Sequence, residues 1–285
     1  MLYLTGYLIA GLGDAPLNLE QFIFGYLIFA PAHLSVSFSN DFFDRYSDRG
    51  SIKTAFSGGS RVLVEHPELE RVSLFFAIVL LMISFIGAVG FIIVYHYSYW
   101  FVIFVLLGGL IGWFYSAPPL KFSYRGLGEI VTMFAVGVFM PGMGYYVASG
   151  FIDYFFAVFI LPISCYGFFF IVTVELPDVV SDEKAKKMSL PVKLGIRRAL
   201  LASLYATLIG TILLAFINFS GLLQGRIDIG LIVALSSILV VAALRGIKID
   251  FSKRNNLVKQ VMLNMYSMIL FLLIMDLSLL VQLFS

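Results

Sequence analysis

The sequence predicts an all-α, polytopic membrane protein, a bundle of about nine transmembrane helices, and three observations lead to it. Hydrophobic residues make up 60% of the 285 and charged residues only 13%, against roughly 45–50% apolar in a soluble domain. Apolar stretches close to the ~20 residues that cross a hydrocarbon core recur along the whole chain. Finally, the basic residues fall almost entirely on one side of the resulting segmentation.

In chain order the full spans are expected at 19–38, 72–95, 99–116, 127–148, 154–176, 199–219, 229–244 and 261–284. A further apolar stretch, Leu2–Leu12, is too short to cross alone. The chain begins at its edge, so it reads as the end of a first helix that starts upstream or is unusually short. The basic start and small-residue cleavage site of a signal peptide are lacking. No soluble domain, linker or low-complexity tract interrupts the helices, so residues 1–285 read as a single membrane domain. Cys165, the single cysteine, lies within a span, which speaks against an internal disulfide, redox chemistry or a cysteine metal site.

If the spans alternate, the loops at 39–71, 117–126, 177–198 and 245–260 share one face. They hold 18 of the 19 Lys and Arg residues, Arg226 being the exception. Basic residues accumulate in short cytoplasmic loops, so this face is expected to be cytoplasmic, in a multi-pass protein of the cell membrane. Arg245, Lys248, Lys253, Arg254 and Lys259 suit contact with anionic lipid head groups. Nothing in the pattern points to nucleic acid, and the oligomeric state is not legible.

Carboxylates beside membrane spans are costly and therefore functional candidates. The second span ends in Ser39-Asn40-Asp41-Phe42-Phe43-Asp44-Arg45-Tyr46-Ser47-Asp48. Asn40, Asp44 and Asp48 are four residues apart and share one face of a continuing helix. The sixth span ends in Glu175-Leu176-Pro177-Asp178-Val179-Val180-Ser181-Asp182, where Asp178 and Asp182 repeat the spacing at the same membrane face. Either cluster alone reads as a solvated helix end; the matched pair is a different matter. Two oxygen-rich clusters at one end of a bundle suit Mg²⁺, which is commonly held by a few carboxylates together with substrate phosphates. A diphosphate bridged between them becomes a leaving group, and the allylic cation left behind can be stabilised by aromatic faces. Asp44, Asp48, Asp178 and Asp182 should repel one another without cations, leaving the empty site loose.

The sequence resembles the UbiA superfamily of intramembrane prenyltransferases, over almost its whole length and in order. Asn40-Asp41-x-x-Asp44-x-x-x-Asp48 is similar to the first Asp-rich motif. Tyr115-Ser116-Ala117-Pro118-Pro119-Leu120-Lys121, then Arg125-Gly126-Leu127-Gly128-Glu129, is similar to the loop after the fourth span. Asp178-x-x-x-Asp182 with Lys187, Ser189, Leu190, Val192 and Leu194-Gly195 is similar to the second Asp-rich motif and its tail. The resemblance implies a nine-helix bundle with a lateral opening for the prenyl chain and a cytoplasmic cap. It implies an Mg²⁺-dependent transfer from a prenyl diphosphate to an aromatic acceptor. Metal ligands are then expected at Asn40, Asp44, Asp48, Asp178 and Asp182, with Asp44, Asp178 and Tyr115 catalytic. Arg61, Lys121, Arg125 and Lys187 are candidates to bind diphosphate, against the plain alternative of basic loop residues. The chain departs from the family pattern at Lys186, where Gly is common, and at Glu175, where Asn or another neutral residue is frequent.

The acceptor is read from one further segment. Branches acting on 4-hydroxybenzoate or on archaeal glycerol lipids usually carry an Arg-Pro pair after the first motif. Here Ser57-Gly58-Gly59-Ser60-Arg61-Val62-Leu63 looks more like the menaquinone branch, which prenylates 1,4-dihydroxy-2-naphthoate. So does Gly144-Tyr145-Tyr146-Val147-Ala148-Ser149-Gly150. Glycerol-lipid, 4-hydroxybenzoate and tetrapyrrole acceptors stand as alternatives. His33, two turns before Asn40, is expected to be a satisfied core histidine. A transporter would place its ionisable groups near the bilayer centre, whereas here the acidic clusters sit at one surface and only Asp276, in the last span, lies far from the cytoplasmic side.

Overall fold

The computed structural model describes residues 1–51, 53–223 and 225–284. Among them 78% are helical and none forms a strand. The longer helices are α1 (Leu2–Leu12), α2 (Leu19–Asp44), α4 (Glu70–Tyr95), α5 (Trp100–Trp113), α6 (Gly128–Phe134), α7 (Met140–Ser149), α8 (Tyr154–Glu175), α11 (Ile196–Phe219), α12 (Gly230–Ile247) and α13 (Arg254–Leu283). The short helices α3 (Val62–Glu65), α9 (Val179–Lys184) and α10 (Leu190–Leu194) lie in the loops of the basic face.

Seven helical stretches among the described residues are long and apolar enough to cross a membrane, one fewer than the eight full spans expected. The difference is α5. It has 14 residues, about 21 Å at 1.5 Å per residue, because the chain leaves the helix at Phe114 and folds back on itself. The Phe122 and Ser123 amides then donate to the Phe114 and Tyr115 carbonyls at 3.1 and 3.0 Å. In the fifth span a π-helical turn, Ala135–Phe139, joins α6 to α7. Such bulges interrupt a helix without ending it.

Two caps show how local sequence fixes the helix starts. Asn18 Oδ1 accepts the Glu20 and Gln21 amides at 2.8 and 3.2 Å before α2, and Asp153 accepts the Phe156 amide at 3.2 Å before α8. Both satisfy amides that have no partner within the helix.

The short α1 is buried along nearly all its length and packs on α7 and α13. Glycine permits that approach. A Cβ on Gly6 would lie 1.7 Å from the Pro141 carbonyl oxygen, and one on Gly144 would lie 1.8 Å from that of Tyr3. Without a hydrophobic driving force between helices in lipid, such backbone contact is a main source of association. Polar groups inside the bundle pair across helices. Thr5 donates to Asp276 at 2.6 Å, joining α1 to α13. Gln260 Nε2 donates to Asn264, and Asn264 to Thr173, at 2.7 and 3.2 Å. The main apolar core runs through the middle of the bundle, and two smaller clusters, around Leu176 and Val172, lie beneath the basic face.

Candidate active site

The two acidic motifs meet. Asn40, Asp41, Asp44, Asp48, Asp178 and Asp182 line one cavity of about 490 Å³, together with Gly58, Gly59 and Lys187. Their backbone differs from the continuous helices expected. The helix α2 ends at Asp44, and Asp48 opens a separate 3₁₀ turn. Ser47 Oγ donates to the Asp44 carbonyl at 2.7 Å, a local bond that competes with helix continuation. Pro177 lacks an amide hydrogen, and the chain there tightens into a 3₁₀ turn, Leu176–Asp178, before resuming as α9.

Asp44 is buried and fully engaged. Its Oδ2 accepts Ser116 Oγ at 2.7 Å and Lys187 Nζ at 3.0 Å, and its Oδ1 accepts Tyr124 at 2.7 Å. Asp178 Oδ2 accepts the Gly58 amide at 3.0 Å, and Asp41 accepts Ser60 at 2.6 Å. The glycine pair therefore straps the two motifs together. Gly58 and Gly59 have φ of 87° and 66°, a region open chiefly to glycine, and a Cβ on Gly59 would lie 2.6 Å from an Asp48 carboxylate oxygen. Lys187, in ion-pair contact with Asp44 and near Asp182, supplies the compensating charge.

Burial works against that charge, but Asp44 and Asp182 outweigh it and hold the Lys187 ammonium above its usual range. Burial pushes the Asp48 carboxyl up to about 6 in spite of Lys187, and burial beside Asp44 pushes the Tyr124 hydroxyl up to about 12. The position of Lys187 comes from the turn before it, in which Lys186 adopts a left-handed φ of 59°. That is the position where the resembling family commonly has glycine, which takes this conformation without strain.

Among the described residues no group of three or more His, Cys, Asp or Glu forms a ready metal cage. The donor set nevertheless fits a hard cation. Asn40 Oδ1 and Asp178 Oδ1 are both buried without a partner, and both residues line the cavity. Partly protein-bound Mg²⁺ completed by water and phosphate oxygens matches such an arrangement better than an all-protein cage.

A second cavity of about 590 Å³ shares Gly58, Gly59, Asp178, Asp182 and Lys187 with the first and extends to Tyr115, Glu175, Ile171 and Val174. A third, apolar and about 660 Å³, runs along α2 past Val36, Ala32 and Ile28 and is floored by Gly108 and Gly112 of α5. His33 is exposed on its edge and stacked on Phe29 with centroids 5.9 Å apart, and is not a core residue as expected.

The other basic candidates sit around the rim. Lys121 Nζ lies 5.3 Å from the Tyr124 ring centroid, Arg125 donates to the Pro119 carbonyl at 2.8 Å, and Arg61 donates to the Ser51 carbonyl at 2.5 Å and faces Glu65 at 3.8 Å. Sequence reasoning missed Ser116 and Tyr124 as partners of Asp44. Ser116 lies inside the Tyr115–Lys121 motif and Tyr124 falls between it and Arg125, but only the fold-back after α5 brings Tyr124 under the acidic end of α2.

Comparison with known proteins accords with this geometry. A UbiA homologue from Archaeoglobus fulgidus, solved bound to GPP and Mg²⁺, is 19% identical with a TM-score of 0.69, covering 100% of this chain and 95% of its own. A UbiA homologue from Aeropyrum pernix K1 is 17% identical with a TM-score of 0.65, covering 94% and 96%. A structure described in terms of digeranylgeranylglyceryl phosphate synthase in membranes is 16% identical with a TM-score of 0.65, covering 98% and 91%. These likenesses establish the fold. No curated protein matches the chain by sequence. The model of the UbiA prenyltransferase family, however, matches residues 1–271. With both acidic motifs on one cavity and that match along nearly its whole length, the chain belongs to the UbiA prenyltransferase family.

Proposed function

We propose that the chain transfers a prenyl group from a prenyl diphosphate to an aromatic acceptor at the cytoplasmic face of the cell membrane, in the manner of the menaquinone branch. The observation that carries this reading is the convergence of the two motifs on one cavity beside an apolar groove. Asn40, Asp44, Asp48, Asp178 and Asp182 would hold Mg²⁺, which neutralises the diphosphate and makes it a better leaving group. A. fulgidus homologues solved with GPP or DMAPP and Mg²⁺ support the same substrate class.

The chain's own residues divide the remaining work. The groove along α2 takes the isoprenoid tail; Ile28 lies twelve residues from Asn40, about 18 Å along the helix. Lys187 would exchange its contact with Asp44 for the diphosphate, and Lys121, which like Lys187 lies over the Tyr124 ring, would join it. Arg61 and Arg125 reach the diphosphate only by leaving the Ser51 and Pro119 carbonyls, so their use requires closure of the loops over the site. The C1–O bond breaks with its electron pair on the diphosphate, and an acceptor carbon bonds to C1. The proton it loses passes to Asp178, which lines both polar cavities. Tyr115 presents its ring and hydroxyl to the acceptor.

The acceptor is proposed to be 1,4-dihydroxy-2-naphthoate, because Ser57-Gly58-Gly59-Ser60 replaces the segment containing an Arg-Pro pair in other branches. The test is incubation of purified protein with Mg²⁺, geranylgeranyl diphosphate and a panel of acceptors, with products read by mass spectrometry. Turnover of the dihydroxynaphthoate in preference to 4-hydroxybenzoate is expected; the reverse preference refutes the acceptor.

A further inference from the structure

Glu175 stands where the family pattern commonly has a neutral residue, and nothing in the transfer chemistry derived above uses it. It ends α8, and its neighbourhood is unusual in three respects. First, it lines the second cavity, across from Tyr115 and next to the apolar walls at Ile171 and Val174. Second, the Glu129 carboxyl at the start of α6 lies beside it, and Glu129 itself is held by the Leu190 amide, which it accepts. Third, Glu175 Oε2 is buried with no partner. An orphaned buried acceptor is destabilising until a donor reaches it.

We propose that Glu175 is a specificity-determining residue that accepts a hydrogen bond from a ring hydroxyl of the acceptor, with Glu129 as its positioning partner. The inference rests on the aromatic prenyl-transfer reading and adds the chemistry by which the acceptor is chosen. The cavity joins the diphosphate site through Asp178, Asp182 and Lys187, so a flat ring held between Tyr115 and the Ile171–Val174 wall has the prenyl carbon within reach. Its hydroxyl donates to Glu175. An acidic group on the ring would be repelled by Glu129 and Glu175 and must point instead toward Lys187, the only basic side chain lining that cavity among the described residues. Acceptor orientation follows from those two opposed preferences.

The experiment compares 1,4-dihydroxy-2-naphthoate with 1-hydroxy-2-naphthoate and 4-hydroxy-2-naphthoate, each lacking one hydroxyl. Wild type, Glu175→Leu and Glu175→Gln are assayed with Mg²⁺ and geranylgeranyl diphosphate, and binding of the prenyl diphosphate is measured separately. Wild type should lose about 10-fold in kcat/KM with one of the two analogues. Glu175→Leu should lose about 10-fold on the dihydroxy acceptor and no longer discriminate that analogue, while Glu175→Gln, which keeps one acceptor oxygen, recovers part of the discrimination. Prenyl diphosphate affinity should stay within about twofold in both variants, which a folding defect would not allow. If Glu175→Leu discriminates as wild type does, or loses prenyl diphosphate binding in step with turnover, the assignment of Glu175 falls alone. If wild type binds the prenyl diphosphate and prenylates no hydroxyaromatic acceptor, the function reading falls and takes this assignment with it.

Discussion

Lys187 is placed to act as a stand-in cation, and its removal has a calculable effect. Its Nζ lies 3.0 Å from Asp44 Oδ2, with side-chain exposures of 15% and 8%. At that distance the gross attraction is about 5 kcal/mol for an effective dielectric of ~20. Desolvation offsets part of it, and breaking a buried pair by removing one partner costs about 3–5 kcal/mol net. Lys187→Met should therefore destabilise the metal-free protein by about 3 kcal/mol, because Asp44, Asp48, Asp178 and Asp182 are then left without a counter-charge. Mg²⁺ and a non-reactive prenyl diphosphate should restore most of that loss, since cations take over the compensation. The assay is unfolding of the purified protein in detergent, with and without both ligands. An equal loss in the two conditions, or no loss in either, would refute the stand-in role.

Three further outcomes follow from other parts of the molecule. Lys186→Gly should stabilise the protein by about 1 kcal/mol in the same unfolding assay, because it relieves a left-handed φ in a residue with a Cβ; destabilisation would contradict the turn described for Lys186. Gly144→Leu should separate α1 from α7 and lower the melting temperature with a loss of at least ~2 kcal/mol, whereas Gly221→Ala, where a Cβ meets nothing within 4 Å, should cost about 1 kcal/mol or less, from its positive φ alone. Single cysteines at Ser57 and Lys186 should react with an impermeant thiol reagent only from the cytoplasmic side; labelling from outside would invert the topology.

The spans were readable because hydropathy is a local property and the bilayer imposes its length on each helix. Where the reading slipped, tertiary structure had overridden local pattern. The helix α5 stops at Trp113, three residues before the expected end at Ser116, because the chain folds back at Phe114. The Asp-rich motifs were legible as residue types at a spacing, but not as broken helices, since the Ser47–Asp44 bond and the Pro177 turn re-aim Asp48 and Asp182. The partners of Asp44 come from positions 72, 80 and 143 residues away in sequence, and pattern reasoning along one chain has no access to such contacts. Glu175 was visible only as a departure from the family pattern. Its place beside Glu129 and its orphaned oxygen arise from the packing of α6 against α8.

The most direct measurement of the central claim is Mg²⁺-dependent prenyl transfer by wild type, Asp44→Asn and Asp178→Asn, with helical content checked by circular dichroism. One variant in each motif tests whether the two clusters act on a common substrate. Each should keep its fold and lose at least ~100-fold in turnover, on the order of 3 kcal/mol of transition-state stabilisation. Wild type should be silent in excess chelator and recover when Mg²⁺ is returned. Near-normal Mg²⁺-dependent turnover by either folded variant, or undiminished wild-type turnover in chelator, would contradict the two-cluster account.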